Sequence, residues 1–168
     1  MPKIDQIHLI LQSQDPEIVI NAIQVLKEVA NENSLELLLD LRAKTIESKM
    51  CKAIDDFFNT LNIPLLNAAM VKIVTSPRYL SAREKLLSAC WQSHLLFDDY
   101  LLDFVRLVVE GNYRIAVESF CVIENCIPNP DPKQVIESID FTLQELNKNE
   151  EEKKALLKEL LNLLKSFL

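Results

Sequence analysis

The sequence predicts an all-α fold: a right-handed α-α superhelix built as a short solenoid of antiparallel helix pairs. Three observations carry that expectation. The 168 residues contain one glycine, Gly111, where average usage would give about twelve, and β-hairpin architectures need glycine at their tight turns. Helix-start signals recur along the whole chain. Apolar triplets return in one register about every thirty residues, the length of a helix-turn-helix unit.

Apolar spacing predicts helices over 3–13, 15–31, 34–44, 46–61, 64–75, 79–94, 97–110, 112–127, 132–147 and 150–167. The first, with Ile4, Ile7, Ile10 and Leu11, reads as an N-terminal cap. Asp15-Pro16 and Asp131-Pro132 each set a capping carboxylate before a proline at the first helical position, where no amide donor is missed. Asn33 with Glu36, Ser81 with Glu84, and Asn149 with Glu152 have the spacing of a capping box. Gly111 suits a left-handed residue closing a helix.

The triplets are Ala22, Ile23, Leu26; Ala53, Ile54, Phe57; Leu86, Leu87, Cys90; and Ala116, Val117, Phe120. Their central members lie 31, 33 and 30 residues apart. This divides 15–147 into about four helix pairs within a single domain of 1–168, with 150–168 as a C-terminal capping helix. That last segment opens with Glu150, Glu151 and Glu152, which favour the positive end of the helix dipole. Leu156, Leu157, Leu160, Leu161, Leu163, Leu164 and Phe167 then form a wide apolar arc. The arc is expected to pack on the last pair; the alternative is a homodimer through this helix.

Residues 81–108, SAREKLLSACWQSHLLFDDYLLDFVRLV, resemble a HEAT repeat, with Arg83 ahead of Leu86, Leu87 and Ala89 on the first helix. Residues 112–126, NYRIAVESFCVIENC, look like the opening helix of the next unit, with Arg114 near the matching place. The likeness spans 15–147. It departs at Val19 and Cys51, where such a repeat often has a basic residue, and the turns lack the usual Asp. The resemblance implies an α-solenoid that binds other proteins.

Charge and composition narrow the chemistry. Of the net −7, residues 95–147 account for −7, with ten acidic and three basic side chains, whereas 1–94 carry −1 and 148–168 carry +1. Such a field repels phosphate backbones and attracts basic protein surfaces, so no nucleic-acid partner is expected. No run approaches the roughly 20 apolar residues of a membrane span, and 1–11 lack the features of a secretory signal. A cytoplasmic protein is expected, with Cys51, Cys90, Cys121 and Cys126 as buried reduced thiols.

No cofactor and no metal are expected. HEAT-like metal hydroxylases use His-Glu pairs, and the two histidines, His8 and His94, are each followed by Leu. Asp55-Asp56 and Asp98-Asp99 diverge by about 100° if helical, so neither pair converges on one atom, and Asp98 and Asp99 fall where a cap is needed. Trp91 reads as core. HEAT-like DNA glycosylases suggest the alternative of an enzyme with Arg78, Arg83, Lys85 and Trp91 in a channel, which the acidic neighbouring segment disfavours.

The preferred function is a non-catalytic scaffold that binds a protein or basic peptide along its second helices. There the polar residues form stripes: Asp99, Asp103, Arg106, Glu110 in the third pair and Lys133, Glu137, Asp140, Gln144 in the fourth. Both follow i, i+4, i+7, i+11, one face of a helix. Glu36 and Asp40, followed by Ala43, begin the same series in the first pair.

Overall fold

A computed structural model describes residues 3–168. Among them are ten α-helices and no strand: α1 (Ile4–Ile10), α2 (Pro16–Val29), α3 (Glu32–Lys44), α4 (Ser48–Asn59), α5 (Asn67–Thr75), α6 (Arg83–Gln92), α7 (Leu101–Glu110), α8 (Tyr113–Cys126), α9 (Pro132–Leu146) and α10 (Glu151–Ser166). Short 3-10 turns at Pro64–Leu66, Pro77–Tyr79 and Asp98–Tyr100 lead into α5, α6 and α7. The chain is all-α, as its glycine poverty and apolar spacing predict.

The starts are built as expected where proline fixes the backbone. Asp15 and Asp131 cap α2 and α9, accepting from the amides of Glu17 and Lys133, with Pro16 and Pro132 in the first turn. The predicted capping boxes fall elsewhere. At α3 the box is Asn31 with Ser34, two residues upstream of Asn33. α6 begins only at Arg83, because Ser76 and Pro77 first organise a 3-10 turn and Ser81 stays outside the helix. At α10, Glu150 occupies the cap position without a side-chain bond.

The chain divides into two compact units. One holds residues up to Ala69 together with Gln92–Leu95; the other holds Met70–Trp91 and Leu96–Leu168. In the first, α1 packs on α2, α2 on α4, and α3 on α4. In the second, α7 packs on both α8 and α9, and α10 on both α8 and α9. Each unit therefore contains packing between alternate helices, α2 with α4, α7 with α9, and α8 with α10. That is how consecutive helix pairs stack when each leaves one face for the next.

Three of the four triplets lie in the core: Ala22, Ile23, Leu26, Ala53, Ile54, Phe57, Leu86, Leu87 and Cys90 are all buried. The fourth is one residue out of register. On α8 the buried set is Ile115, Ala116 and Ser119, while Val117 and Phe120 are only half-buried. α8 packs against both α7 and α10, and Ala116 and Ser119 are small side chains on its buried side. Ser119 is fully buried with its hydroxyl unpartnered, and a larger residue there would hold the helices apart.

Gly111 joins α7 to α8, but its backbone is extended (φ −68°, ψ 165°) rather than left-handed. What the site needs is the absence of a side chain. A Cβ there would come within 2.5 Å of Ile115 Cγ2 and 2.6 Å of the Leu107 carbonyl oxygen. The same corner receives Lys153 from α10, whose ammonium donates to the carbonyls of Val109 and Gly111, the latter at 2.6 Å. Desolvation lowers the pKa of Lys153, and the nearby Glu110 opposes that shift. A lysine is unfavourable in the first turn of its own helix. Here it meets the negative end of α7 and satisfies orphan carbonyls.

The leucine arc of α10 is turned inward. Leu157, Leu160, Leu161 and Leu164 are buried against α8 and α9, and Leu156, Leu163 and Phe167 are half-buried. The helix packs on α8 and α9 within the chain.

Phe104 is fully buried against Phe97, with ring centroids 5.2 Å apart. Phe104→Ala should cost about 3–5 kcal/mol, as expected for truncating a core aromatic, and Phe120→Ala clearly less; urea unfolding of both variants measures the difference. Lys153→Met should lower stability by about 1–3 kcal/mol, the range for leaving buried carbonyls unsatisfied, read from the same unfolding curves.

Candidate protein-docking face

The second unit places the two polar stripes on adjacent helices. Glu110 and Arg106 on α7 are exposed, as is Asp99 on the 3-10 turn before it, while Asp103 is half-buried. On α9, Lys133, Glu137, Asp140 and Gln144 are all exposed. The stripes begin side by side, because Gln134 donates to the Asp99 carbonyl (2.9 Å) and accepts from the Leu102 amide (3.3 Å). Asp103, Glu137 and Asp140 engage no ion pair or side-chain hydrogen bond among the described residues. Glu36 and Asp40, half-buried on α3, belong to the other unit.

Asp98 and Asp99 do not cap α7. Asp98 instead accepts from the Asn129 amide (2.8 Å), tying the turn before α7 to the loop before α9. The reason is the preceding turn: Tyr100, not an aspartate, stands in the cap position, and it offers no side-chain bond. The other acidic doublet diverges as expected. Asp55 forms a two-point pair with Arg42 (2.9 and 3.3 Å), and Asp56 faces solvent.

Trp91 is not a core residue. It is 37% exposed, and its indole nitrogen donates to Glu118 at 2.8 Å, linking α6 to α8 at the surface. A bulky ring with one polar edge is stable in such a position because the polar edge keeps a partner. Arg83 donates to the carbonyls of Thr75 and Ser76 and Arg78 lies 5.1 Å from the centre of the Tyr79 ring.

His8 has a role that the sequence concealed. Buried between α1 and α3, its Nε2 lies 2.8 Å from Ser34 Oγ, and Asn33 Nδ2 lies 3.3 Å from its Nδ1. With the Asn33 amide donating to Nδ1, the ring proton resides on Nε2 and is donated to Ser34. Ser34 in turn donates to Asn31 Oδ1 at 3.1 Å. Protons run from histidine to serine, the reverse of what a nucleophile and its base require, and Ser34 is fully buried. The pair joins helices. An open depression of about 360 Å³ beside it is lined by Asn31, Glu32, Asn33 and Glu36, whose two carboxylates oppose anion binding at the start of α3. His94 is exposed and uses its backbone amide to donate to the Leu61 carbonyl.

The four cysteines are free thiols. Cys90 and Cys126 are buried, whereas Cys51 and Cys121 are half-exposed because each lies at the margin of its helix's apolar arc. Burial pushes Cys90 far up and Cys126 up to about 11. No group of three or more His, Cys, Asp or Glu side chains converges as a metal site among the described residues. None of the described helices is, singly, long and apolar enough to cross a membrane.

This geometry defines an all-helical protein of stacked helices with an acidic, exposed surface on α7 and α9. Among solved structures the chain is similar to the archaeal HEAT-like repeats protein from Thermococcus onnurineus NA1. The two share 15% identity with a TM-score of 0.49, over 98% of this chain and 71% of that one. No family model and no curated protein matches the sequence.

The raised thiols set a pH dependence. A group whose pKa is higher in the folded state stabilises below its unfolded pKa, and that contribution is lost as pH rises through the folded value. For Cys126 the window runs from 9.0 to about 11. The urea midpoint should fall between these pH values, and Cys90→Ala with Cys126→Ala should reduce the fall.

Proposed function

We propose that this protein is a HEAT-like helical scaffold, and that the exposed face of α7 and α9 binds a basic peptide or basic protein surface without catalysing a reaction. The observation that carries this reading is the unpaired state of Asp103, Glu137 and Asp140 on two helices packed together. Carboxylates in a folded protein are commonly balanced by nearby cations. Here the surrounding segment, 95–147, holds ten acidic side chains against three basic ones, so the face keeps a net negative potential. Electrostatic complementarity of this kind speeds encounter and selects partners by sign.

Asp99, Glu110, Arg106, Lys133 and Gln144 form the rest of the face. Arg106 and Lys133 interrupt the negative charge and would discriminate between basic partners by the spacing of their cations. Glu36 and Asp40 extend the same series on the first unit as a separate acidic patch. The scaffold reading places the protein among cytoplasmic partners and away from nucleic acid, whose phosphates this field repels.

Asp103→Lys combined with Asp140→Lys should leave stability within about 0.5 kcal/mol per site, as at surface positions generally. Fluorescence anisotropy with a labelled Lys/Arg-rich peptide at low and high salt tests the face. Wild-type binding should weaken with salt, and the double variant should lose it. Equal binding by both proteins removes the reading.

A further inference from the structure

Two of the four thiols meet inside the second unit. Cys90 lies in the last turn of α6 and Cys126 ends α8, and the two residues are 0% and 3% exposed. The Cys126 thiol donates to the Cys90 carbonyl at 3.6 Å, across 36 residues of chain. A carbonyl oxygen lies about 2.4 Å from its own Cα, so the Cys126 sulfur stands within about 6 Å of the Cys90 Cα. Disulfides suit Cα atoms about 4.4–6.8 Å apart. Side-chain rotation with a small shift of the helix ends therefore brings the sulfurs into bonding range. The Cys90 thiol also senses its neighbour: burial is the larger cause of its raised pKa, and the electrostatic effect of Cys126 adds to it.

A bond here would close a loop that contains all of α7 and the Phe97–Phe104 ring pair. The end of α8 is already held at this place by its backbone, because the Phe97 amide donates to the Cys126 carbonyl at 2.8 Å. Two further ties between α6 and α8, Trp91 with Glu118 and Arg114 with Glu84, lie at the surface. A covalent link at the buried end constrains the helices where those polar contacts do not reach. The other cysteines are poorly placed to compete. Cys121 stands about 140° around α8 from Cys126, and Cys51 belongs to the first unit.

We propose that Cys90 and Cys126 form a reversible intramolecular disulfide on exposure to a small peroxide, and that this bond locks α6 to α8. The Cys126 thiolate attacks one peroxide oxygen, the O–O bond breaks and hydroxide leaves, giving a sulfenic acid. The Cys90 sulfur then attacks the Cys126 sulfur, the S–S bond forms and water leaves. In sum, two thiols lose two protons and two electrons, and the peroxide becomes two waters. Burial sets the pace. Raised thiols supply little thiolate, so the bond forms slowly, and the same shielding keeps reducing thiolates away once it exists. The pair is a latch set by sustained oxidation, and it is independent of the acidic docking face.

The test treats the folded full chain with hydrogen peroxide, as wild type and as Cys51→Ser with Cys121→Ser. In the double variant both remaining thiols should disappear on titration in denaturant, with a mass about 2 Da lower. Non-reducing peptide mapping of both proteins should join Cys90 to Cys126. The oxidised double variant should melt several degrees higher, as a cross-link closing a long loop predicts, and dithiothreitol should reverse the shift. Adding Cys90→Ala should abolish both the mass change and the shift. Thiols that stay titratable after prolonged oxidation of the folded chain overturn the proposal. Sulfinic acids at these positions in place of a link overturn it as well, as does a link that forms only in urea or only between molecules. A linked protein that melts no higher than the reduced one removes the locking role.

Discussion

A helix whose apolar arc is wider than one neighbour can cover must be packed from two sides, and this condition organises the second unit. α7 shows it most clearly. Six of its ten residues, Leu101, Phe104, Val105, Leu107, Val108 and Val109, are buried, which leaves only a narrow strip for charge. α8 covers one flank and α9 the other. Because α8 follows through a two-residue connection it must run back along α7, and α9 then lies alongside α7. The polar stripes become neighbours as a consequence of covering the core, with no separate interaction needed to align them.

The corner between α7 and α8 fixes how close that packing is. Gly111 admits the side chain of Ile115 against the end of α7. Lys153 then spans from α10 to the carbonyls that α7 leaves open. Its desolvation is offset by two hydrogen bonds to the negative end of a helix, where a cation is favoured. The same contact seats α10 over α8 and α9, so its leucines are used inside the chain. The outer surface of α10 is left to Glu152, Lys158, Glu159, Asn162 and Lys165.

Function, on this reading, occupies what packing leaves over. Asp103, Glu137 and Asp140 form no ion pair although Arg106 and Lys133 share their helices; Lys153 is held by backbone carbonyls and Arg114 by Glu84 across α6 and α8. Ile136 and Leu143 stay about half exposed on α9 although both α7 and α10 pack against that helix. The polar pairs His8 with Ser34 and Trp91 with Glu118 are partnered across helices and hold them in place.

The sequence by itself determined the helices, their order and the placement of charge. Apolar spacing, proline and a lack of glycine act through local backbone physics, so ten helices and the caps at Asp15 and Asp131 were legible, and the stripes on α7 and α9 followed from the period of the helix. Tertiary structure decided which side of an ambiguous residue faced inward. Phe120 outranks Ser119 in hydrophobicity, yet the serine is fully buried and the phenylalanine only half-buried, because the neighbours of α8 set which side of it faces inward. Gly111 resembled a left-handed cap and proved to be a steric gap set by Ile115, four residues on, and by the α7 carbonyls. Trp91 and Lys153 took their roles from partners 27 and 42 residues away. Spacing along one helix carries no information about such distant groups, since they meet only when the helices pack.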